Sequence, residues 1–186
     1  MIALIVIVAV VVVFWVVLYN TMVGKKNQVN NVFASVDTLL KKRYDLIPNL
    51  VSTVQQYMEH ERGTLTDITE LRAKAMSGNV SENERVNLEN KMSKLLGGIM
   101  VAVENYPQLK ANENFMQLQR SMNEIEEQIS AARRSYNAAV TDYNNAVEMV
   151  PTNVMASIMG YKLRELFEIP EAQRENVNVK ELFKKD

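Results

Sequence analysis

The residue types most able to do chemistry are few. The chain has one histidine, His60, held between two carboxylates in Glu59-His60-Glu61. A Ser-His-Asp triad would have to use it, yet no G-x-S-x-G elbow is present. Arg62-Gly63-Thr64 follows where a zinc protease would place a second His. A di-iron bundle needs paired E-x-x-H sequences, which one His cannot supply. The ordinary reading of His60 is an exposed helix residue. Tyr136-Asn137 and Tyr143-Asn144 are the same pair one heptad apart, with Arg133 just ahead. They are the residues a small-ligand receptor or an enzyme would use in a helical interior. The same alternation of Ala and Tyr is also how two helices pack closely, the Tyr filling the gap beside Ala and its hydroxyl reaching a polar partner. Lys41-Lys42-Arg43 could meet acidic lipid heads, each basic side chain adding about 1 kcal/mol close to a bilayer. On an upright helix they stand roughly 25 Å past the apolar N-terminal run, which makes a solvated face or an ion pair the simpler reading.

Other signatures are missing or weak. Gly24-Lys25-Lys26 lacks the glycine-rich loop that cradles phosphate. Asn79-Val80-Ser81 fits a glycosylation sequon, but a turn followed by a helix cap explains it as well. With no cysteine, disulfides, thiol nucleophiles and thiolate metal sites are excluded. No catalytic, cofactor-binding or metal-binding residue is assigned, and no cofactor is expected.

The elements that hold these residues are helical. Gly and Pro are sparse, at six and four. From Asn112 to Val150 neither occurs. There Phe115, Leu118, Met122, Ile125, Ile129, Ala132, Tyr136, Ala139, Tyr143, Ala146 and Val150 alternate gaps of three and four. That spacing keeps one stripe against a partner helix. Glu124, Glu127, Arg133, Arg134 and Asp142 read as its solvated side. A second helix runs from Lys25 to Arg43, burying Val29, Val32, Val36 and Leu39. Pro48 predicts a break or bend around Arg43 to Ile47, with Asp45 capping a new helix that continues to about Met76 and stops at Ser77-Gly78-Asn79. Ser81 and Glu84 form a capping box for a helix to about Asn105, which buries Leu88, Met92, Leu95, Ile99 and Val103. Gly97-Gly98 weakens its middle or admits a close neighbour. Val154 to Met159 forms a short helix before Gly160. Without β-alternation and with short connections, the chain is all-α and reads as an antiparallel helical bundle.

One segment is of another kind. Ile2 to Leu18 is unbroken apolar sequence, and Lys25 is the first charge. About 20 apolar residues span a bilayer core, and a helix satisfies its own backbone there. No basic residue precedes the run and no small-residue cleavage site follows, as a signal peptide would require. A buried soluble helix normally keeps a polar side. Trp15 and Tyr19 suit an interfacial anchor, and Lys25 and Lys26 place the body in the cytoplasm by the positive-inside rule. The expected organisation is a transmembrane helix over 1–23, a helical bundle over 24–168 and a loosely held tail over 169–186. The body balances 21 basic against 22 acidic residues, which argues against a nucleic-acid partner. The expected partners are a lipid bilayer through residues 2–22 and a protein, either unidentified or a second copy.

Three blocks carry a resemblance. LKKRYDLIPNLVSTVQQYMEHE from Leu40 to Glu61, VAVENYPQLKANENFMQLQ from Val101 to Gln119 and ARRSYNAAVTDYNNAV from Ala132 to Val147 stand in order behind the apolar run. Together they resemble the LemA family of bacterial membrane proteins, over roughly Tyr19 to Phe167. The resemblance implies a single N-terminal span with a very short outer N-terminus, and a cytoplasmic four-helix bundle. It implies no established catalytic activity and transfers no site residue. Some relatives take part in magnetosome formation, which suggests a membrane-organising role. Val150 stands before Pro151 where the family often has Phe, a change expected to alter a packing contact. The function expected is a membrane-anchored scaffold or adaptor. The alternative is a small-ligand receptor or enzyme using the interior near Tyr136 and Tyr143.

Overall fold

The computed structural model describes residues 1–78 and 80–168. Among them the protein is all-helical: α1 (Ile2–Val54), α2 (Arg62–Met76), α3 (Glu82–Val103), α4 (Pro107–Lys110), α5 (Glu113–Glu148) and α6 (Thr152–Ile158), with one 3₁₀ turn at Glu59–Glu61. Asn79 of the sequon and the tail over 169–186 lie outside the described residues.

α1 is one helix with two surfaces. Every residue from Met1 to Val17 is exposed. From Leu18 onward a stripe of Met22, Val29, Phe33, Val36, Leu40, Ile47, Leu50 and Val54 is buried. α5 runs antiparallel to it, because partners on α5 fall in number as those on α1 rise. Lys25 Nζ meets Asp142 Oδ2 at 2.9 Å, Arg43 meets Glu126 at 2.7 Å, and Asn112 Nδ2 donates to Tyr57 Oη at 3.2 Å just beyond the helix ends. α3 runs parallel to α1, pairing Arg85 with Asp37 and Glu89 with Arg43. α2 returns between them and reaches α3 through Lys74 and Glu84 at 2.9 Å. α1, α2, α3 and α5 all contribute buried residues to one core, with Phe115, Ile129 and Tyr136 of α5 fully buried.

The expected break near Arg43 to Ile47 does not occur. α1 continues through Pro48 and ends at Val54, so the helix expected from Asp45 to Met76 is two elements. Proline has no N–H, which leaves the carbonyl four residues back without its helical donor. That carbonyl belongs to Tyr44, and Arg72 Nε of α2 donates to it at 2.8 Å. A tertiary contact thus supplies the bond that Pro48 removes. Asp45 is exposed inside the helix and caps nothing.

Ser81 caps α3 as expected, and Asn112, which was not singled out, caps α5 in the same way. Ser81 Oγ accepts from Glu84 N at 3.3 Å, and Asn112 Oδ1 from Phe115 N at 3.0 Å. The Glu84 carboxylate pairs with Lys74 instead of closing the box. Leu96 takes the buried place on α3, and Leu95 sits at its edge. A Cβ at Gly97 or Gly98 would meet nothing within 4 Å, so no neighbour exploits them. Gly160, after α6, is the one described glycine with positive φ, at 65°. Val150 is 79% exposed and makes no packing contact for a Phe to alter.

Candidate functional site: the polar face of α5

Arg133 lies on the buried side of α5, not the solvated one, with 5% of its surface exposed. It joins Arg43 of α1 and Glu89 of α3, both fully buried, in a four-charge cluster completed by Glu126. Arg43 Nη2 donates to Glu89 Oε2, and Nη1 donates to Glu126 Oε2 at 2.7 Å and to Ser93 Oγ at 3.3 Å. Arg133 Nη2 donates to the same Ser93 Oγ at 2.9 Å and lies 3.6 Å from Glu89 Oε2. Tyr44 Oη donates to Glu89 Oε1. Two cations and two anions leave the cluster neutral overall, which burial demands. Burial first, then the nearby Arg43 charge, lowers the Arg133 pKa to about 10. Burial raises that of Tyr44, which keeps it protonated as a donor. The charges face one another across three helices, so the cluster acts as a lock on the register of α1, α3 and α5, while Nε of Arg43 and of Arg133 has no hydrogen-bond partner among the described residues. Of the basic run, Lys41 and Lys42 are exposed and Arg43 is the ion-paired member.

The Tyr-Asn pairs do something different. The chain after α6, Tyr161 to Glu168, lies along α5 without helix or strand of its own. Asn144 Nδ2 donates to Arg164 O and its Oδ1 accepts from Arg164 N, both at 2.9 Å. Asn137 repeats this with Phe167 O and N, again at 2.9 Å. On the other flank, Asn83 and Asn90 of α3 accept from Glu165 N and Glu168 N, each at 3.2 Å. Tyr143 Oη donates to Lys162 O at 3.1 Å.

Helical spacing explains the heptads. Seven residues of α-helix advance about 10.5 Å, and three residues of fully extended chain span about 10–11 Å. Asn137 and Asn144 therefore match Phe167 and Arg164 only if this segment is nearly straight. The same arithmetic fits Asn83 and Asn90 to Glu165 and Glu168. The four asparagines grip backbone and leave the side chains to be chosen by packing. Phe167 is 2% exposed, with its ring edge-on to Tyr136 at 5.1 Å and the Arg133 guanidinium 5.2 Å from its centroid. Arg164 covers Tyr143 at 5.4 Å, pairs with Glu82 and donates to Asn30 Oδ1 at 2.8 Å.

The structure therefore brings Arg133, Tyr136, Asn137, Tyr143 and Asn144 onto one side of α5, but Phe167 and its neighbours fill the place a ligand would need. Tyr136 is fully buried and its hydroxyl has no partner among the described residues. Burial and the Glu82 charge raise its pKa to about 12. Tyr143 borders a shallow open depression of about 380 Å³ beside Glu82 and Lys162. His60 stands apart, exposed in the 3₁₀ turn near the Glu59–Arg62 pair at 3.4 Å.

Reading Arg133 as solvated missed its burial, and Glu89 was not singled out, whereas Arg43 makes the ion pair that was one of its two expected readings. A signal existed: Arg133 is four residues after Ile129 and three before Tyr136, and Arg43 sits likewise between Leu40 and Ile47. Those are stripe positions. Asn83 and Asn90 were also overlooked, though they repeat the heptad of Asn137 and Asn144.

Comparison with known proteins agrees with the three blocks, all of which lie within the matched residues. Protein LemA of Metamycoplasma hominis is 25% identical, over 88% of this chain and 74% of its own length. Magnetosome protein MamQ 2 of Paramagnetospirillum magneticum is 24% identical over 81% of this chain. The chain spans 64% of that protein's length. Magnetosome protein MamQ of Magnetospirillum gryphiswaldense is 32% identical over 39% of this chain and 26% of its own. The LemA family pattern itself matches residues 32–180, most of the chain, and the protein belongs to the LemA family.

Proposed function

We propose that the protein is a membrane-anchored, non-catalytic helical scaffold. Residues 2–22 cross the bilayer. The rest of α1 joins α2, α3 and α5 in an antiparallel four-helix bundle over 24–168, which presents its surface to a protein partner or to a second copy. The carrying observation is the two-surfaced α1. Its first turns are apolar on all sides with no protein over them, and the same unbroken helix then supplies the core of the body. A helix apolar all round belongs in lipid or in a core, and no core surrounds Met1 to Val17. The relatives named as magnetosome proteins fit a membrane setting. Two lysines directly after the run favour a cytoplasmic body with a short N-terminus outside.

The absence of cysteine makes the test clean. Single-cysteine variants Ile2→Cys and Asn123→Cys, the latter at an exposed position of α5, are treated with an impermeant maleimide in intact cells. Asn123→Cys should react only after lysis, and the protein should stay with membranes in carbonate. Release by carbonate would end the anchoring reading; labelling of Asn123→Cys in intact cells would reverse the orientation. Crosslinking in membranes should trap a reproducible partner or a defined oligomer, and recovery of monomer alone would end the scaffold reading.

A further inference from the structure

The corner between α5 and α6 carries a second apolar surface. Met149, Val150, Val154 and Ile158 are 61%, 79%, 49% and 68% exposed. Val154 and Ile158 are four residues apart, which places them on one side of α6, and Met149 and Val150 lie in the turn before it. No charged residue occurs from Met149 to Tyr161. The opposite side of α6 is fixed in place: Met155 and Ala156 are buried in one cluster with Leu18 and Met22 of α1.

That cluster sets the height of the corner along α1. Leu18 is the last residue of the unbroken apolar run, and Lys25 is the first charge after it. They are separated by about 10 Å along the helix. Charged contacts lie on the body side of the corner. Lys25 pairs with Asp142 at 2.9 Å, and Lys26 Nζ lies 5.2 Å from the centre of the Tyr161 ring. On the other side lie only the exposed apolar residues of α1, with Trp15 and Tyr19 among them. The exposed side of α6 thus lies at the level along α1 where the apolar run ends.

We propose that the α5–α6 corner is a second membrane contact, lying in the bilayer interface with Val150, Val154 and Ile158 among the upper acyl chains. This rests on the reading that α1 spans the bilayer. An apolar helix side held at this level sinks about 5–10 Å into the boundary of headgroups and chains. The body is then seated on the lipid at two points, the span and the corner, and has a fixed face toward the membrane.

The full chain is tested in phosphatidylcholine–phosphatidylglycerol vesicles. An environment-sensitive fluorophore is placed singly at Val8→Cys, Val154→Cys, Ile158→Cys and Val101→Cys. Val101 is 72% exposed and lies near the far end of α3. Iodide in the buffer should quench the labels at 154 and 158 roughly three-fold or more weakly than the label at 101, while quenchers on the acyl chains reach them. Iodide quenching at 154 and 158 equal to that at 101, with the label at 8 in lipid, overturns the inference and leaves the anchor standing. A label at 8 exposed to iodide overturns both. Shielding at 154 and 158 that acyl-chain quenchers do not reach, and that vanishes at one copy per vesicle, overturns it in favour of contact between copies.

Discussion

Two polar arrangements hold the body together, and they work by opposite means. The Arg43–Glu89–Arg133–Glu126 cluster joins charged ends of long side chains from three helices. The asparagine clamp joins neutral side chains to the backbone of Tyr161 to Glu168. In the first, each member is indispensable, since removing one charge leaves its partner buried and uncompensated. In the second, the cost of each loss is that of one unmade amide pair. The cluster therefore behaves as a single unit and the clamp as a row of separable ones.

The largest expected effect follows from Glu89→Ala. It leaves two buried guanidiniums facing each other with only half-exposed Glu126 between them, and should cost about 3–5 kcal/mol in denaturant unfolding in detergent. Replacing Arg43 by Met and Glu89 by Leu together should recover much of that loss. A Glu89→Ala loss no larger than that of a single asparagine would erase the contrast between the regions.

Asn137→Ala should cost about 1–3 kcal/mol, because the N–H and C=O of Phe167 both lose their partner beside a buried ring. Asn144→Ala should behave alike, and the two losses should add. Strong non-additivity would mean that the segment releases as one piece and that the clamp is as cooperative as the cluster.

A smaller effect concerns Pro48. Arg72→Leu should cost about 1 kcal/mol by orphaning the Tyr44 carbonyl. In a Pro48→Ala background, where residue 48 can donate to that carbonyl, the loss should shrink. Equal losses in the two backgrounds would show that Arg72 acts elsewhere.

Alkaline pH sets Arg133 against the buried tyrosines. Tyr136 is raised from 10.0 to about 12, chiefly by burial, so between those values the folded form holds more protons and stability falls as pH rises. Burial raises Tyr143 in the same direction. Arg133, lowered by burial from the usual guanidinium range to about 10, contributes the opposite slope, because there the unfolded chain holds more protons. Unfolding midpoints measured from pH 9 to 12 should decline, less steeply in Tyr136→Phe and more steeply in Arg133→Met. Unchanged slopes in both variants would contradict these assignments.

The sequence made the stripe of α5, the Ser81 cap and the apolar segment readable, because each is a local pattern of residue types. It hid what depends on neighbours remote in the chain. Pro48 signalled a break because its missing bond is local, while the substitute donor, Arg72, comes from another helix. Arg133 signalled water because charge is normally exposed, while its neutralising partners lie 44 and 7 positions away at Glu89 and Glu126. The residues suspected of ligand binding were correctly gathered on one side of α5, but the occupant of that side is the protein's own later segment.

The unbroken course of α1 has a mechanical consequence. Transmembrane helices tilt by about 20° on average and adjust as bilayer thickness changes. From Lys25 to Val54 the rod extends about 44 Å at 1.5 Å per residue. Because the helix runs on through Pro48, a tilt of that size in the proposed bilayer-spanning α1 would swing the distal tip sideways on the order of 15 Å. The proposed tether would then also be a lever, carrying a change of tilt in the bilayer to the distal end of the body.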